Sequence, residues 1–191
     1  HDGTMGGIWD MNGNVWEWCT GLRLVYGEIQ ILQDNNAADP TADLSAGSAA
    51  WKAINAADGS LVAPDGKGTT AGTVKLDYSG GKWKYSTTIA SATTSNGCTF
   101  AGVTADATIG AAAKLILQAL AMLPDTALTG DGIDTNYGGD YFYANNGEAE
   151  RCLFRGGDWT YGSGAGLFGS YLDYPRSYAG GLLGGRAAFI D

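Results

Sequence analysis

The chain has 191 residues, 45% of them hydrophobic and 16% charged, which suffices for one domain with a sizeable core. Its formal net charge of −9 and isoelectric point near 4.4 exclude a nucleic-acid-binding class, which needs a basic stripe. No run approaches the roughly 20 apolar residues of a membrane span, and no basic-then-apolar leader opens the chain, so neither membrane insertion nor a signal peptide is expected.

Taken in chain order, residues 5–19 supply a turn and a strand. Asp10-Met11-Asn12-Gly13-Asn14 has turn chemistry, and Val15-Trp16-Glu17-Trp18-Cys19 alternates large apolar residues with a carboxylate, the period-two mark of a strand. Leu22 to Leu32 continues in β-type residues. Residues 33–105 are rich in Ala, Gly, Ser, Thr, Asp and Asn, with strand candidates at Thr73–Tyr78 and Lys82–Ile89 and a short helical turn at Trp51–Asn55. Ile109–Leu123 carries strong helix formers, apolar nearly all round, and is expected to be a well-buried helix stopped by Pro124. Residues 129–147 are turn-rich and lead into a short apolar strand at Arg151–Arg155, and Gly184–Ile190 reads as a closing strand. A start at His1 reads as the later part of a larger protein.

The single histidine, His1, leaves Ser-His-Asp, Cys-His and His-based zinc sites without their base or ligand. Cys19, Cys98 and Cys152 are too few and too widely spaced for a zinc site or disulfide framework, and burial as small hydrophobes is expected. Asp131, Asp134, Asn136 and Asp140 form an oxygen-rich cluster that departs from the EF-hand spacing and reads as a set of Asx turns, with a calcium site as the alternative. Glu17, Arg155 and Arg186 sit among aromatic and glycine residues and are expected to pair with one another, because an unpaired buried charge is costly.

The segment from Arg155 to Phe189 is a glycine frame carrying Tyr, Ser, Asp and Thr but no Lys, Glu, Gln or Met. That is the composition of a recognition surface. Trp159, Phe168, Leu172, Pro175 and the outer arginines read as its framework.

Gly13-Asn14-Val15-Trp16-Glu17-Trp18, then Arg155-Gly156-Gly157-Asp158-Trp159 and a closing Gly-Arg-Ala-Ala-Phe, resemble the C-type-lectin-fold proteins related to formylglycine-generating enzymes. With Ala165-Gly166-Leu167-Phe168 and Arg176-Ser177 between them, they more narrowly resemble the variable proteins of diversity-generating retroelements. The resemblance covers residues 5–32 and 137–190.

It implies an α+β C-type-lectin fold in one domain over 1–191, with an insertion at 33–130 and a variable region at 155–189. In that family a reverse transcriptase misreads template adenines, so AAC codons become NNC codons that never encode Lys, Glu, Gln, Met or Trp. The matching positions are Asp158, Thr160, Tyr161, Ser163, Gly164, Gly169, Ser170, Tyr171, Asp173, Tyr174, Tyr178, Ala179, Gly180, Gly181 and Leu182, all reachable from such a codon. The family implies that these share one solvent-exposed face and bind a protein or glycan on a host or neighbouring cell. It places the protein at a phage tail tip or on a bacterial surface, as a possible homo-oligomer. Exchange of the tyrosines for alanine is then expected to remove binding and spare stability.

No cofactor, metal or catalytic residue is expected. The enzymes of the family use a cysteine near the C-terminal end, and none follows Cys152. Neither Glu-Pro-Asn nor Gln-Pro-Asp, the calcium-dependent sugar-binding motifs, occurs. The alternatives are a formylglycine-generating-type enzyme and an invariant structural component of a virion or cell envelope.

Overall fold

The computed structural model describes residues 13–125 and 137–185. Strand β1 (Trp16–Val25) and strand β2 (Glu28–Leu32) form a hairpin that anchors the molecule. Its two-residue turn, Tyr26 (φ 46) and Gly27 (φ 79), has positive φ at both positions, the backbone that matches strand twist. Four short strands follow: β3 (Trp51–Ile54), β4 (Leu61–Val62), β5 (Lys75–Ser79) and β6 (Lys82–Ser86). The β5–β6 hairpin turns on Gly80 and Gly81, again both at positive φ. Then come β7 (Asn96–Thr99), β8 (Thr104–Ala105), helix α1 (Ala111–Ala119), β9 (Tyr141–Ala144), β10 (Glu150–Arg155), β11 (Ser170–Tyr174) and β12 (Leu183–Gly184).

The twelve strands of the described residues join one mixed sheet in the order β7-β9-β11-β10-β1-β2-β5-β6-β8, with β12 on β1 and β3–β4 on β2. About 35% of the residues are strand and 13% helix, so the molecule is mostly β and the expected α+β class is corrected. Two local causes account for this. Trp51–Ile54, expected as a helical turn, instead pairs with β2 (Trp51 opposite Leu32) and leaves Trp51 only 3% exposed. The alanine-rich helix is also shorter than its composition, nine residues long.

It ends before Pro124 because Ala121 turns left-handed at φ 51. The Met122 amide then reaches the Leu117 carbonyl (2.8 Å) and the Ala121 amide that of Gln118 (2.9 Å), a Schellman closure. Nor is it buried all round: Ala113 and Leu117 face the core while Leu115 is 65% exposed. At its other end Gly110 lies so close to the Ala57 carbonyl that any Cβ would overlap it.

The main core draws Leu22, Leu24 and Ile29 from the first hairpin, Ile54, Leu76, Trp83, Phe100 and Leu117 from the middle of the chain, and Phe142, Leu153 and Leu172 from the last strands. Residues on both sides of position 33 therefore share one hydrophobic core. Among the described residues, no helix is long and apolar enough to cross a membrane.

Candidate functional site

The strands at the β9–β11–β10–β1 end of the sheet have two apolar faces. Leu153, Leu172 and Phe142 point into the main core, whereas Trp16, Phe154 and Tyr171 form a second cluster on the opposite face. Register explains the division. Trp18 lies opposite Phe154, and Phe154 opposite Tyr171, so these side chains share a face. A bulge between Phe154 and Cys152 then places Tyr174 opposite Cys152, which turns Tyr174 onto the same face. A regular strand would have sent Asp173 there instead.

The rings meet in a continuous array. Trp16 packs on Tyr171 (centroids 4.3 Å) and edge-on to Tyr161 (5.2 Å), and Tyr171 stacks on Tyr143 (5.0 Å). Phe154 meets Trp18 (4.2 Å) and Tyr174 (5.7 Å), and Tyr174 stacks on Tyr178 at 3.9 Å. Pairs in these geometries contribute about 0.5–1.5 kcal/mol each beyond their area. A cleft of about 240 Å³ opens over this floor. Asp158 and Tyr161 border it from one loop and Tyr178, Gly180, Gly181 and Leu182 from another.

The fifteen sequence-derived positions therefore divide by burial. Thr160, Ser163, Tyr178, Ala179, Gly180, Gly181 and Leu182 are exposed; Tyr161, Gly164, Asp173 and Tyr174 are half-buried; Asp158, Gly169, Ser170 and Tyr171 are buried. A single solvent-exposed face holding all fifteen is thus corrected, since four belong to the interior. Asp158 is held in place by its neighbours: the Trp16 indole Nε1 donates to Oδ2 (3.0 Å) and the Thr160 amide to Oδ1 (2.7 Å). Ser170, fully buried, donates to the Phe168 carbonyl (2.9 Å) and accepts from Arg155 (2.8 Å).

The framework assignments divide as well. Leu172 is fully buried, and Phe168 stacks on Phe100 at 5.0 Å. Trp159 and Pro175 are exposed, Trp159 by 70%, which corrects their placement as packed framework. Trp159 is held through its backbone, whose amide donates to the Asn14 carbonyl (3.2 Å). Its exposed indole leaves a large apolar side chain on the surface next to Asp158 in the chain.

No family model matches this chain, and no curated protein matches it in sequence.

The expected Glu17–Arg155–Arg186 network is replaced, for Arg155, by another arrangement. Arg155 donates to the Leu120 (2.6 Å) and Ala121 (3.1 Å) carbonyls and so caps the C-terminus of α1 as well as holding Ser170. Glu17 lies opposite Arg155 in the β1–β10 register, and Arg186 lies outside the described residues. The charge network that does form had no sequence signal. Arg176 and Arg23 both bind Glu150 at 2.7 Å, Arg23 also grips Gln30, and Gln30 donates to Glu28 (2.9 Å). Arg23 lies over the Trp51 ring at 4.2 Å. Only the strand pairing brings positions 23, 30 and 150 together, so no spacing along the chain betrays them.

Asp140 is the one described member of the oxygen-rich cluster; Asp131, Asp134 and Asn136 lie outside the described residues. Its carboxylate accepts the Phe168 amide (2.8 Å), and Gly166 is required beside it because a Cβ would overlap that carboxylate. Among the described residues no group of three His, Cys, Asp or Glu side chains is arranged to hold a metal ion. Cys98 and Cys152 are buried and Cys19 partly so; burial raises all three thiols, Cys152 to about 11, which leaves them protonated and poorly nucleophilic at neutral pH.

Around the cleft, burial and the neighbouring Asp158 push the Tyr161 phenol up to about 12, so it remains a neutral hydrogen-bonding group. Burial also raises the Asp173 carboxyl, against a hydrogen bond from Ser95 (3.2 Å), and its Oδ1 is buried with no partner among the described residues. A carboxyl whose folded pKa is raised destabilises the fold once pH rises through that value. Asp173→Asn is therefore expected to raise the melting temperature at neutral pH, with the gain shrinking as the solution is acidified. Differential scanning calorimetry at two pH values checks this.

Proposed function

We propose that this protein is a recognition module, not an enzyme, whose two C-terminal loops present contact residues exchanged by a retroelement. One observation carries the reading: of the eleven sequence-derived positions that are exposed or half-buried, six line a single aromatic-floored cleft. The rim is supported from beneath by Trp16, Phe154 and Asp158, so its side chains can change without disturbing the floor. Tyr161, Tyr174 and Tyr178 supply large contact area on few rotatable bonds, and Thr160 and Ser163 supply adaptable hydrogen bonds. The reading places the protein on a phage tail or bacterial exterior, facing a protein or glycan of a host or neighbouring cell. The alternative enzyme of the formylglycine-generating type finds no support in the three cysteines, two of them buried and the third partly so.

The test is binding of labelled protein to a panel of bacterial strains, read by flow cytometry. Combined Tyr161→Ala and Tyr178→Ala exchange is expected to weaken binding to any responsive strain by about tenfold or more, the loss of at least one interface hot spot. Unchanged binding by the folded double variant would contradict the proposed surface.

A further inference from the structure

A further concavity lies away from the aromatic face. It encloses about 800 Å³ between the Tyr26 turn, the 65–72 loop and the segment from Thr87 to Ala92. That volume falls within the range of small-molecule sites. Its walls are pre-formed. Asp65 ties the loop down by accepting the amides of Lys67 (2.8 Å) and Thr69 (3.2 Å) and the Thr69 hydroxyl. Gly66, Gly68 and Gly72 take positive φ within it. Gly68 packs so close beneath the turn that a Cβ would come within 2.8 Å of the Tyr26 Cβ.

Two features of this cleft decide what it could hold. Tyr26 is a bulky residue at φ 46, its amide held by the Glu148 (2.9 Å) and Ala149 (3.1 Å) carbonyls, yet its side chain is 43% exposed at the cleft wall. The two-residue hairpin turn imposes this backbone and so fixes the ring against the cleft wall. Lys75 is only 7% exposed and lines the same cleft. Its ammonium donates to the Thr70 carbonyl (2.7 Å) and the Thr73 hydroxyl (2.9 Å), leaving one of its three hydrogens without an acceptor among the described residues. No carboxylate in the described residues forms an ion pair with it. The nearby Glu28 carboxylate is engaged by Gln30 (2.9 Å) and Thr73 (2.7 Å).

The geometry points to this cleft as a binding site for a small monocarboxylate, its carboxylate on the Lys75 ammonium and its apolar body against Tyr26 and Ile89. A buried ammonium lacking a contacting counter-charge gains most from an anion brought by a ligand. Burial lowers the Lys75 pKa ahead of the opposing pull of Glu28 and Asp65, consistent with that deficit. The groups around it are Glu28, Asp65 and Lys67, two acids and one further base, so a single negative charge suits the site better than a phosphate dianion. The site is independent of the recognition loops and does not rest on their proposed role.

Nuclear magnetic resonance on the whole chain provides the test, with acetate, benzoate, benzamide and inorganic phosphate as probes. Benzoate is expected to shift the Gly68, Thr69 and Thr70 amides saturably, to raise the Lys75 amine pKa read at its Cε, and to bind more tightly than acetate. Benzamide, of the same shape without the charge, is expected to do neither. Lys75→Met is expected to abolish the benzoate response. Tyr26→Gly, which suits the positive φ and so retains the fold, is expected to weaken benzoate and leave acetate unchanged. Equal shifts from benzamide, tighter binding of phosphate than of acetate, or no saturable response to either carboxylate would overturn the assignment, and the Tyr26→Gly and wild-type titrations decide it even if Lys75→Met does not fold.

Discussion

Tyr171→Ala is expected to destabilise the protein by about 3–5 kcal/mol, the range for truncating a large buried aromatic side chain, whereas Tyr178→Ala is expected to cost less than about 1 kcal/mol. Both residues carry the same side chain in the same glycine-rich segment, and only their places in the sheet separate them. Tyr171 is 8% exposed, opposite Phe154 in the ladder and in contact with Trp16, Tyr143 and Tyr161. Tyr178 is 37% exposed and leans on Tyr174 from outside. Urea denaturation of the two variants measures the difference directly. The outcome also decides which tyrosines are free to take part in recognition, since a residue whose exchange unfolds the protein cannot be varied without loss.

Glu150→Gln is expected to cost about 3–5 kcal/mol, because it leaves Arg23 buried without its carboxylate. The Arg23 and Glu150 side chains are 6% and 16% exposed, so their pairing is little screened by water. Burial alone would raise the Glu150 carboxyl, but the hydrogen bonds from Arg176 and Arg23 outweigh it and hold the pKa below its ordinary 4.5. A carboxyl with a depressed folded pKa contributes stability that is complete above the unfolded value and is lost as pH falls through the folded one. The stability difference between wild type and Glu150→Gln should therefore be largest near neutral pH and diminish on acidification below about pH 4.5. Calorimetry of the pair across that interval reads it, and comparing the two proteins cancels the contributions of their other carboxyls. Arg176 also ties the 175–182 loop to the sheet through Glu150, so the same substitution is expected to loosen one wall of the aromatic cleft, visible as faster amide exchange at Tyr178 and Ala179.

Alternation at Val15–Cys19 was sufficient to mark the start of β1, and short apolar or β-type runs marked β5, β6 and β10. Sequence pattern failed where strands are very short: β4, β7 and β8 hold only two to four residues each, too few to show a period, and exist through the pairing of their neighbours. β11 was hidden for a different reason. Its bulge breaks the alternation that would have marked Ser170–Tyr174 as a strand, so a sequence of tyrosines and an aspartate read as loop. The same event explains the buried candidates, since composition distinguishes glycine-and-tyrosine segments from others but not which tyrosine lies beneath the surface. Trp159 misled in the opposite sense: tryptophan is a sound guess for a core residue, yet here the turn set by Asp158 holds the backbone and leaves the indole outside.

A rim of replaceable residues over a fixed aromatic floor is the central claim, and the DNA surrounding the coding sequence tests it most directly. The account predicts a nearby near-copy of the segment encoding residues 155–189, beside a reverse transcriptase gene, differing from it mainly at adenines. The differing codons should include those of exposed positions such as Thr160, Ser163, Tyr178 and Leu182, and should spare Trp159, Phe168 and Leu172. Absence of any such copy, with variation among isolates spread evenly along the gene, would contradict it.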